Sequence, residues 1–328
     1  MIVGQWGVIL NLFAIAVITV GISVLAISLL ISLFRKKVQK KISSFNLKTR
    51  KSVLWFLVSS PWLLGLVTSL LFWITFPTSV NIGLNVTPST LLPHWHHPEL
   101  FELTSWHGVS VALFLVWAMF ITYKKAYLLI ENKKVQASLN VFSEKQDKNF
   151  CLIESATPNA FTCGFIEPKS YLTTGLKSQL NEEELAIVLA HEQAHVKSFD
   201  PLKKWLFMML AAFFPNRIGQ ILNSVMSQTM ELLADQSVID AGHHNDVVAS
   251  TLVKVARISM RFQPNTTPIL SSYFHVEALE ERVKWLLDDK PATANFHYSM
   301  LLVPCLLLVL AMFSVDSLHH LIETILNH

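Results

Sequence analysis

The chain is poor in charged residues and in cysteine. Asp, Glu, Lys and Arg make up 15% of its 328 residues, whereas soluble domains carry about 25%. The three cysteines, Cys151, Cys163 and Cys305, follow no pairing or ligand spacing, which argues against a disulfide framework or a cysteine-type zinc site. The sequence has no basic patch with interleaved aromatic residues, so we expect no nucleic-acid partner. The hydrophobic share of 52% lies largely in long apolar runs, which predicts a protein of the lipid bilayer.

Four apolar runs are long enough to cross a bilayer, which takes about 20 residues. They cover residues 8–34, 53–76, 105–123 and 298–315. The first run has no basic n-region and is longer than the apolar part of a signal peptide, so we expect it to be a retained helix. The sequence therefore predicts a mainly α membrane protein with four transmembrane helices.

Basic residues are distributed unevenly between these runs. Segment 35–51 has eight basic residues and no acidic ones, whereas loop 77–104 has no Lys or Arg. Segments rich in Lys and Arg stay in the cytoplasm. We therefore expect the N-terminus and loop 77–104 outside, and the chain after the third run in the cytoplasm. This topology predicts a multi-pass protein of the bacterial inner membrane.

The external loop contains a histidine cluster, His94, His96 and His97. Clustered histidines are able to bind a metal ion. Pro93 and Pro98 enclose this cluster, however, and no helix or strand is predicted to hold the imidazoles in place. Of the two interpretations, we favour a loop whose Trp and His side chains lie at the membrane surface.

The runs divide the chain into three parts. We predict an N-terminal membrane region, a cytoplasmic domain, and a last span with a short external tail, at residues 1–130, 131–295 and 296–328. Within the domain, short apolar and β-branched stretches predict strands at 149–154, 161–166 and 170–174. The apolar run 205–214 is too short to cross a bilayer. It is either a buried helix of the domain or a helix that enters the membrane surface, and we favour contact with lipid or the spans.

A helix is predicted over residues 180–197, with Asn181 as its N-cap. This helix contains an H-E-x-x-H motif, formed by His191, Glu192 and His195. The two histidines are one turn apart and project side by side, so they suit two corners of a tetrahedral zinc site. Glu192 is then placed to hold and deprotonate water. The alternative is a surface helix with two solvated histidines.

A second helix is predicted over residues 218–241, with Gly242 beyond its end. Glu231 and Asp235 lie one turn apart on one face of this helix. Glu231 would complete a His-His-Glu zinc site, and Asp235 would accept a ring N–H from a histidine ligand. The alternative for this pair is an ordinary solvated acidic face.

Four segments carry a resemblance to a known family. They are PNAFTCGF (158–165), HEQAHVKSFDPL (191–202), FFPN (213–216) and ELLADQSVI (231–239). The chain resembles the membrane zinc metallopeptidases of the BlaR/MecR antirepressor type, and it is also similar to the related HtpX and CAAX-protease group. The resemblance implies four spans, with an α+β gluzincin-like zinc protease domain inserted between the third and the fourth.

The resemblance also assigns roles to residues. It implies one zinc ion per chain held by His191, His195 and Glu231, with Glu192 as general base and Asp235 supporting a ligand. Three further residues, Asn159, Ala160 and Phe161, would begin an edge strand that receives the substrate. The donor that stabilises the oxyanion stays open among His243, His244 and Arg257.

By this resemblance we expect a membrane-bound zinc metalloendopeptidase in regulated proteolysis, acting on a protein substrate such as a transcriptional repressor. The alternatives are an HtpX-like protease that removes damaged membrane proteins and, in a different class, a non-catalytic signalling scaffold. The antirepressor sensors carry a penicillin-binding domain after the last span, whereas only a short tail follows Val315 here. We therefore expect any sensing to use loop 77–104, the spans or a partner protein.

Overall fold

The computed structural model describes residues 1–75, 100–146, 150–262 and 279–288. In this part the protein is mainly helical. Three helices are long and apolar enough to cross a membrane: α1 (Gln5–Leu33), α3 (Leu47–Thr75) and α4 (Trp106–Phe142). They correspond to the first three predicted spans. The fourth predicted span and the histidines of loop 77–104 lie outside the described residues.

The helices extend further than the apolar runs that predicted them. The basic segment 35–51, expected as a loop, contains helix α2 (Arg35–Ser43), with Val38 and Ile42 one turn apart and Ile42 buried. Helix α4 continues 19 residues past its predicted end at Tyr123. Neither extension contains Gly or Pro, and both are rich in Lys, Gln and Leu or Ile, so the helix has no reason to stop where the apolar run does.

The first two long helices pack closely against each other. A Cβ atom added at Gly65 of α3 would lie 2.8 Å from the carbonyl oxygen of Ala16 in α1. Nearby, the hydroxyl of Thr68 lies 3.1 Å from that of Thr19, and both side chains are buried. Small residues and a hydroxyl pair at a helix crossing are typical of association within a membrane. Before the start of α1, β1 (Ile2–Val3) pairs with β2 (Leu100–Phe101) in a short antiparallel sheet.

A four-stranded sheet follows α4. Its strands are β3 (Ser143–Gln146), β4 (Phe150–Ile153), β5 (Ala160–Cys163) and β6 (Lys169–Thr173). Their order is β3-β4-β6-β5, with β4 and β6 parallel and the other pairs antiparallel. Strands β4, β5 and β6 correspond to the three predicted strands, and β3 was not predicted. Because β5 ends the sheet order, it has one strand neighbour among the described residues.

The remaining helices surround the sheet and join it to the spans. They are α5 (Thr174–Lys177), α6 (Glu182–Lys197), α7 (Asp200–Ala211), α8 (Asn216–Asp240), α9 (Asn245–Phe262) and α10 (279–287). Helix α6 starts with a capping box in which Asn181 and Glu184 each bind the other's backbone N–H. Helix α8 is closed by Gly242 at φ +103°, a conformation that glycine adopts without strain. Both ends were predicted from the sequence.

Helix α7 lies against the spans. Phe207 and Ala211 are buried in one apolar cluster with Val24 of α1 and Leu54 of α3. The ring of Trp55 in α3 meets that of Phe207 edge-on at 5.5 Å. The predicted contact of run 205–214 with the spans is thus confirmed. The same cluster includes Met226 and Met230 of α8, so the helices beside the candidate site share a core with the membrane helices.

Candidate metal centre

Helices α6 and α8 bring three side chains together. The Nε2 atoms of His191 and His195 are 3.2 Å apart, as expected for residues one turn apart on α6. Glu231 of α8 faces both, with its oxygens 3.4 Å from Nε2 of His191 and 3.8 Å from Nε2 of His195. One ligand atom from each residue lies within 4.8 Å of the others. The three residues form a group that could hold a metal ion.

Apolar contacts fix the distance between these two helices. Ile187, one turn before His191, lies in the same buried cluster as Val238 of α8. Met230, immediately before Glu231, is buried in the cluster that includes residues of the spans. Glu231 keeps 32% of its side chain exposed. The buried residues before and after Glu231 on α8 thus hold this part of the helix against both α6 and the spans.

Each histidine has a second carboxylate on its other ring nitrogen. Asp235, fully buried, lies 3.0 Å from Nδ1 of His191, at ion-pair distance but out of line for a hydrogen bond in this conformation. Asp200 lies 2.8 Å from Nδ1 of His195 and is hydrogen-bonded to it. A carboxylate on Nδ1 leaves Nε2 as the ligand nitrogen and raises its basicity. The donor set of two imidazoles and a carboxylate therefore suits a divalent metal.

Asp200 was missed by the sequence analysis. It is the first residue of α7, five positions after His195, and the intervening Phe199 adopts the left-handed conformation at φ 51°. This turn brings the start of α7 back beneath the end of α6. The ammonium group of Lys51, in the first turns of α3, lies 3.3 Å from Asp200. An Asp-Pro pair at a helix start was the available signal, but nothing in the sequence indicates the turn at Phe199.

Arg282 of α10 is a second residue that the sequence analysis missed. Its guanidinium group donates two hydrogen bonds to Asp235, at 2.7 and 2.6 Å, and a third to Glu231 at 3.2 Å. Two parallel N–H···O bonds fix the plane of the Asp235 carboxylate. The donors proposed from sequence, His243, His244 and Arg257, are absent from the described lining of the site cavity, which does include Arg282.

The charges in the cluster shift the pKa values of its members. Burial alone would lower the pKa of His191, but the neighbouring Asp235 and Glu231 carboxylates raise it to about 9. Burial alone would raise the pKa of Glu231 and of Asp235, but His191 and Arg282 hold both well below their usual range. The carboxylates thus stay ionised and favour positive charge beside them, which is the electrostatic condition for binding a cation.

Glu192 lies beside the cluster and contacts the sheet. The hydroxyl of Thr162, in β5, donates a hydrogen bond to a carboxylate oxygen of Glu192 at 2.7 Å and lies 3.1 Å from its carbonyl oxygen. Thr162 is the third residue that the sequence analysis missed, although it directly follows the predicted substrate strand. Since β5 is at the edge of the sheet, this bond aligns the edge strand with the motif helix.

All eight residues predicted for the site line one cavity of about 660 Å³. They are Asn159, Ala160, Phe161, His191, Glu192, His195, Glu231 and Asp235. Positions 159–161 and 191–195 come from different elements more than 25 residues apart, and α8 supplies the others. The structure thus brings the predicted residues together, while the roles assigned to them stay predictions.

Fold and site together define a class, a mainly helical protein with helices able to cross a membrane and a cluster that could hold a metal ion. Residues 12–286 match the family model described as BlaR1 peptidase M56, and the chain belongs to this family. The resemblance drawn from the four motifs is therefore confirmed.

Two curated relatives are similar to part of the chain. A protease HtpX homolog of Methanothermobacter thermautotrophicus is 30% identical across 33% of this chain and 52% of its own length. A protease HtpX homolog of Levilactobacillus brevis is 36% identical across 22% of this chain and 24% of its own length. The chain thus spans about half of the first relative and about a quarter of the second. Together with the family match and the cluster, these similarities support a membrane metallopeptidase.

Proposed function

We propose that the protein is a zinc metalloendopeptidase. The observation that carries the proposal is the group of His191, His195 and Glu231, with Glu192 beside it in the same cavity. The three would hold one zinc ion through two Nε2 atoms and a carboxylate, the ligand set of catalytic zinc sites that keep a position open. When bound, zinc acidifies water and polarises the carbonyl of the scissile peptide bond.

The residues of the chain then have separate tasks. Glu192 takes a proton from the attacking water onto its carboxylate and passes it to the nitrogen of the leaving amine. The hydroxyl of Thr162, 2.7 Å away, keeps that carboxylate in one orientation. Asp200 orients His195 through a hydrogen bond at Nδ1, and Asp235 orients His191 as a charge 3.0 Å from its Nδ1. Arg282 keeps Asp235 and Glu231 ionised and fixed.

The substrate is proposed to bind as an added strand on β5. This strand ends the sheet order, and Asn159, Ala160 and Phe161 at its start line the site cavity. An extended peptide pairing with a sheet edge gains main-chain hydrogen bonds that do not depend on its sequence. Its scissile bond would lie next to Glu192, since Thr162 already joins β5 to that residue. This arrangement suits an endopeptidase acting on unfolded or extended segments.

The cellular role proposed here is regulated proteolysis of a cytoplasmic protein such as a transcriptional repressor. It is supported by membership of the BlaR1 peptidase family and by the basic segment 35–51, because segments rich in Lys and Arg favour the cytoplasmic side of a membrane. The domain at 131–295 and a fourth span at 298–315 belong to the same proposal. Similarity to the two HtpX homologs favours a second candidate, removal of damaged membrane proteins.

The proposed cellular role is tested by comparing the proteins of cells that carry the active and the inactive form. Proteomes would be measured in cells carrying the wild type and in cells carrying Glu192→Gln at equal abundance. A repressor-type role predicts that one cytoplasmic protein accumulates intact in the variant alone. Accumulation of many membrane proteins would instead support the second candidate. Identical proteomes under every condition in which the wild type is active would contradict both roles and favour a non-catalytic scaffold.

A further inference from the structure

A second cavity lies where the ends of the membrane helices meet α8 and α10. Its volume is about 440 Å³, within the range of roughly 300–1,000 Å³ for small-molecule sites. One part of its wall is apolar and includes Ile31, Leu54 and Leu57. The other part is basic, with Arg35, Lys40, Arg50 and Lys284 against a single carboxylate, Glu281. The lining thus combines a set of apolar residues with a set of positively charged ones.

These two sets meet at the boundary of the predicted membrane. Ile31 lies in the last turn of α1, and Arg35 begins α2 immediately after it. In α3, Arg50 precedes the apolar run, and Leu54 lies one turn further into it. The cavity therefore joins the hydrocarbon end of two spans to the basic residues at the level of the lipid headgroups. Either orientation of the protein places it at a membrane surface.

Arg50 gives the cavity a buried positive charge. Only 9% of this residue is exposed, although it lines the cavity. Its Nη2 atom is 3.3 Å from the side-chain oxygen of Gln228, and its Nε atom has no hydrogen-bond partner among the described residues. The carboxylate of Glu281 acts on Arg50 electrostatically, but no described carboxylate forms an ion pair with it. A buried guanidinium group without an ion-pair partner is costly unless an anion accompanies it. The cavity therefore favours a negatively charged occupant over a neutral one.

We propose that this cavity binds an anionic phospholipid, with the phosphate group among Arg35, Lys40 and Arg50 and the start of an acyl chain along Ile31, Leu54 and Leu57. Guanidinium groups bind phosphate oxygens with paired, charge-assisted hydrogen bonds. The volume accommodates a headgroup and the beginning of a chain, while the rest of the lipid lies in the bilayer. A free phosphate shares the headgroup chemistry but would leave the apolar residues of the lining without an occupant.

The site touches both elements that support the metal centre. Lys51, next to Arg50 on α3, binds Asp200, which holds His195. Helix α10 contributes Glu281 to the cavity and, one residue later, Arg282 to Asp235. A bound lipid would restrain α3 and α10 at once. Binding itself does not depend on the proposed peptidase activity and is measured separately from it.

The test uses the purified full chain in a neutral detergent and counts bound lipid by native mass spectrometry. Phosphatidylglycerol, phosphatidylcholine with the same chains, and inorganic phosphate are added in separate titrations. The variant Arg35→Gln/Lys40→Gln removes two exposed basic residues of the cavity wall. The control Lys36→Gln/Lys37→Gln removes the same charge from the same helix at positions outside the wall. Arg50→Gln is a third variant, which tests the buried charge.

The proposal predicts that phosphatidylglycerol binds the wild type and the control equally, and binds Arg35→Gln/Lys40→Gln about 25-fold more weakly, at roughly fivefold per charge. If the affinity for phosphatidylglycerol falls equally in the variant and in the control, the lipid is attracted by the overall positive charge of the helix, and the proposed site is wrong. Equal binding of phosphatidylcholine would overturn the role of the phosphate cluster. If inorganic phosphate displaces the lipid at a concentration equal to that of the lipid, the occupant is a free anion and the lipid assignment is wrong. The variant Arg35→Gln/Lys40→Gln changes exposed residues only, so it gives a result even if Arg50→Gln does not fold.

Discussion

At the scale of single residues, the two histidines of the motif are supported differently. His191 is bordered by Asp235, which is fully buried and tied to Arg282. His195 is bordered by Asp200, which is tied to Lys51 of a membrane helix. Both carboxylates act through the Nδ1 atoms and leave Nε2 facing Glu231. The support of His195 therefore depends on the packing of α7 and α3, and that of His191 on α8 and α10.

Asp200→Asn tests the support of His195. The amide keeps the shape of the side chain but removes the charge that raises the basicity of Nε2, so we expect zinc affinity to fall about 10- to 100-fold. Competition with a chelator of known affinity measures the change in the purified protein. Asp240→Asn, at the exposed end of α8, is the matched control and should leave affinity unchanged. Equal affinities for Asp200→Asn and the wild type would show that Asp200 does not support the ligand.

The pKa of His191 gives a prediction on pH. Because its pKa is raised to about 9 by the surrounding carboxylates, this imidazole carries a proton at neutral pH before zinc binds. Zinc must displace that proton, so raising the pH favours binding. We expect zinc affinity to rise about tenfold per pH unit from pH 7 and to level off near pH 9. Calorimetry in buffers of different ionisation enthalpy should show about one proton released per zinc at pH 7.5, and release of none would contradict the assignment.

At the scale of elements, the close approach of α1 and α3 carries a prediction of its own. Gly65→Ala would place a methyl group 2.8 Å from the backbone oxygen of Ala16, so the two helices must separate. Overpacking typically costs about 1–3 kcal/mol, and we expect a lower thermal unfolding temperature in detergent. Gly21→Ala in α1 is the matched control, since its Cβ would meet nothing within 4 Å. If both variants unfold at the temperature of the wild type, the crossing is looser than described.

The elements themselves could largely be predicted from the sequence. Asn181 and Gly242, the caps of α6 and α8, are local signals that do not depend on tertiary contacts. Strands β4, β5 and β6 were found from short β-branched stretches, whereas β3 was not, because Ser143–Gln146 is polar and is ordered by its pairing with β4. Extension of α4 to Phe142 was missed because the prediction followed hydrophobicity rather than helix propensity.

The His-His-Glu cluster was predictable because its spacing is helical, but the residues that support it were not. His191, His195, Glu231 and Asp235 lie at intervals of four within two helices. Asp200, Arg282 and Thr162 reach the site from other elements. Arg282 is 51 positions from Glu231, and Thr162 is 30 positions from Glu192. No periodicity joins such residues, so only the packed structure identifies them.

At the scale of the whole molecule, the site and the membrane helices form one body. Phe207 of α7 and Met230 of α8 share a buried cluster with Val24 and Leu54 of the spans. Glu231 directly follows Met230, and Asp200 opens the helix that contains Phe207. A change in the packing of the spans would therefore act on two residues of the candidate metal centre. This continuity is the physical basis on which a membrane signal, or a bound lipid, would alter activity.

In the proposed mechanism, Glu192 takes the proton of the attacking water at a zinc site formed by His191, His195 and Glu231. It is tested most directly by measuring zinc content and peptide cleavage on the same preparation of Glu192→Gln. We expect one zinc per chain in both wild type and variant, and a cleavage rate lower by about 10²- to 10⁴-fold in the variant. Full cleavage by Glu192→Gln, or wild-type protein that cleaves while holding no zinc, would contradict it.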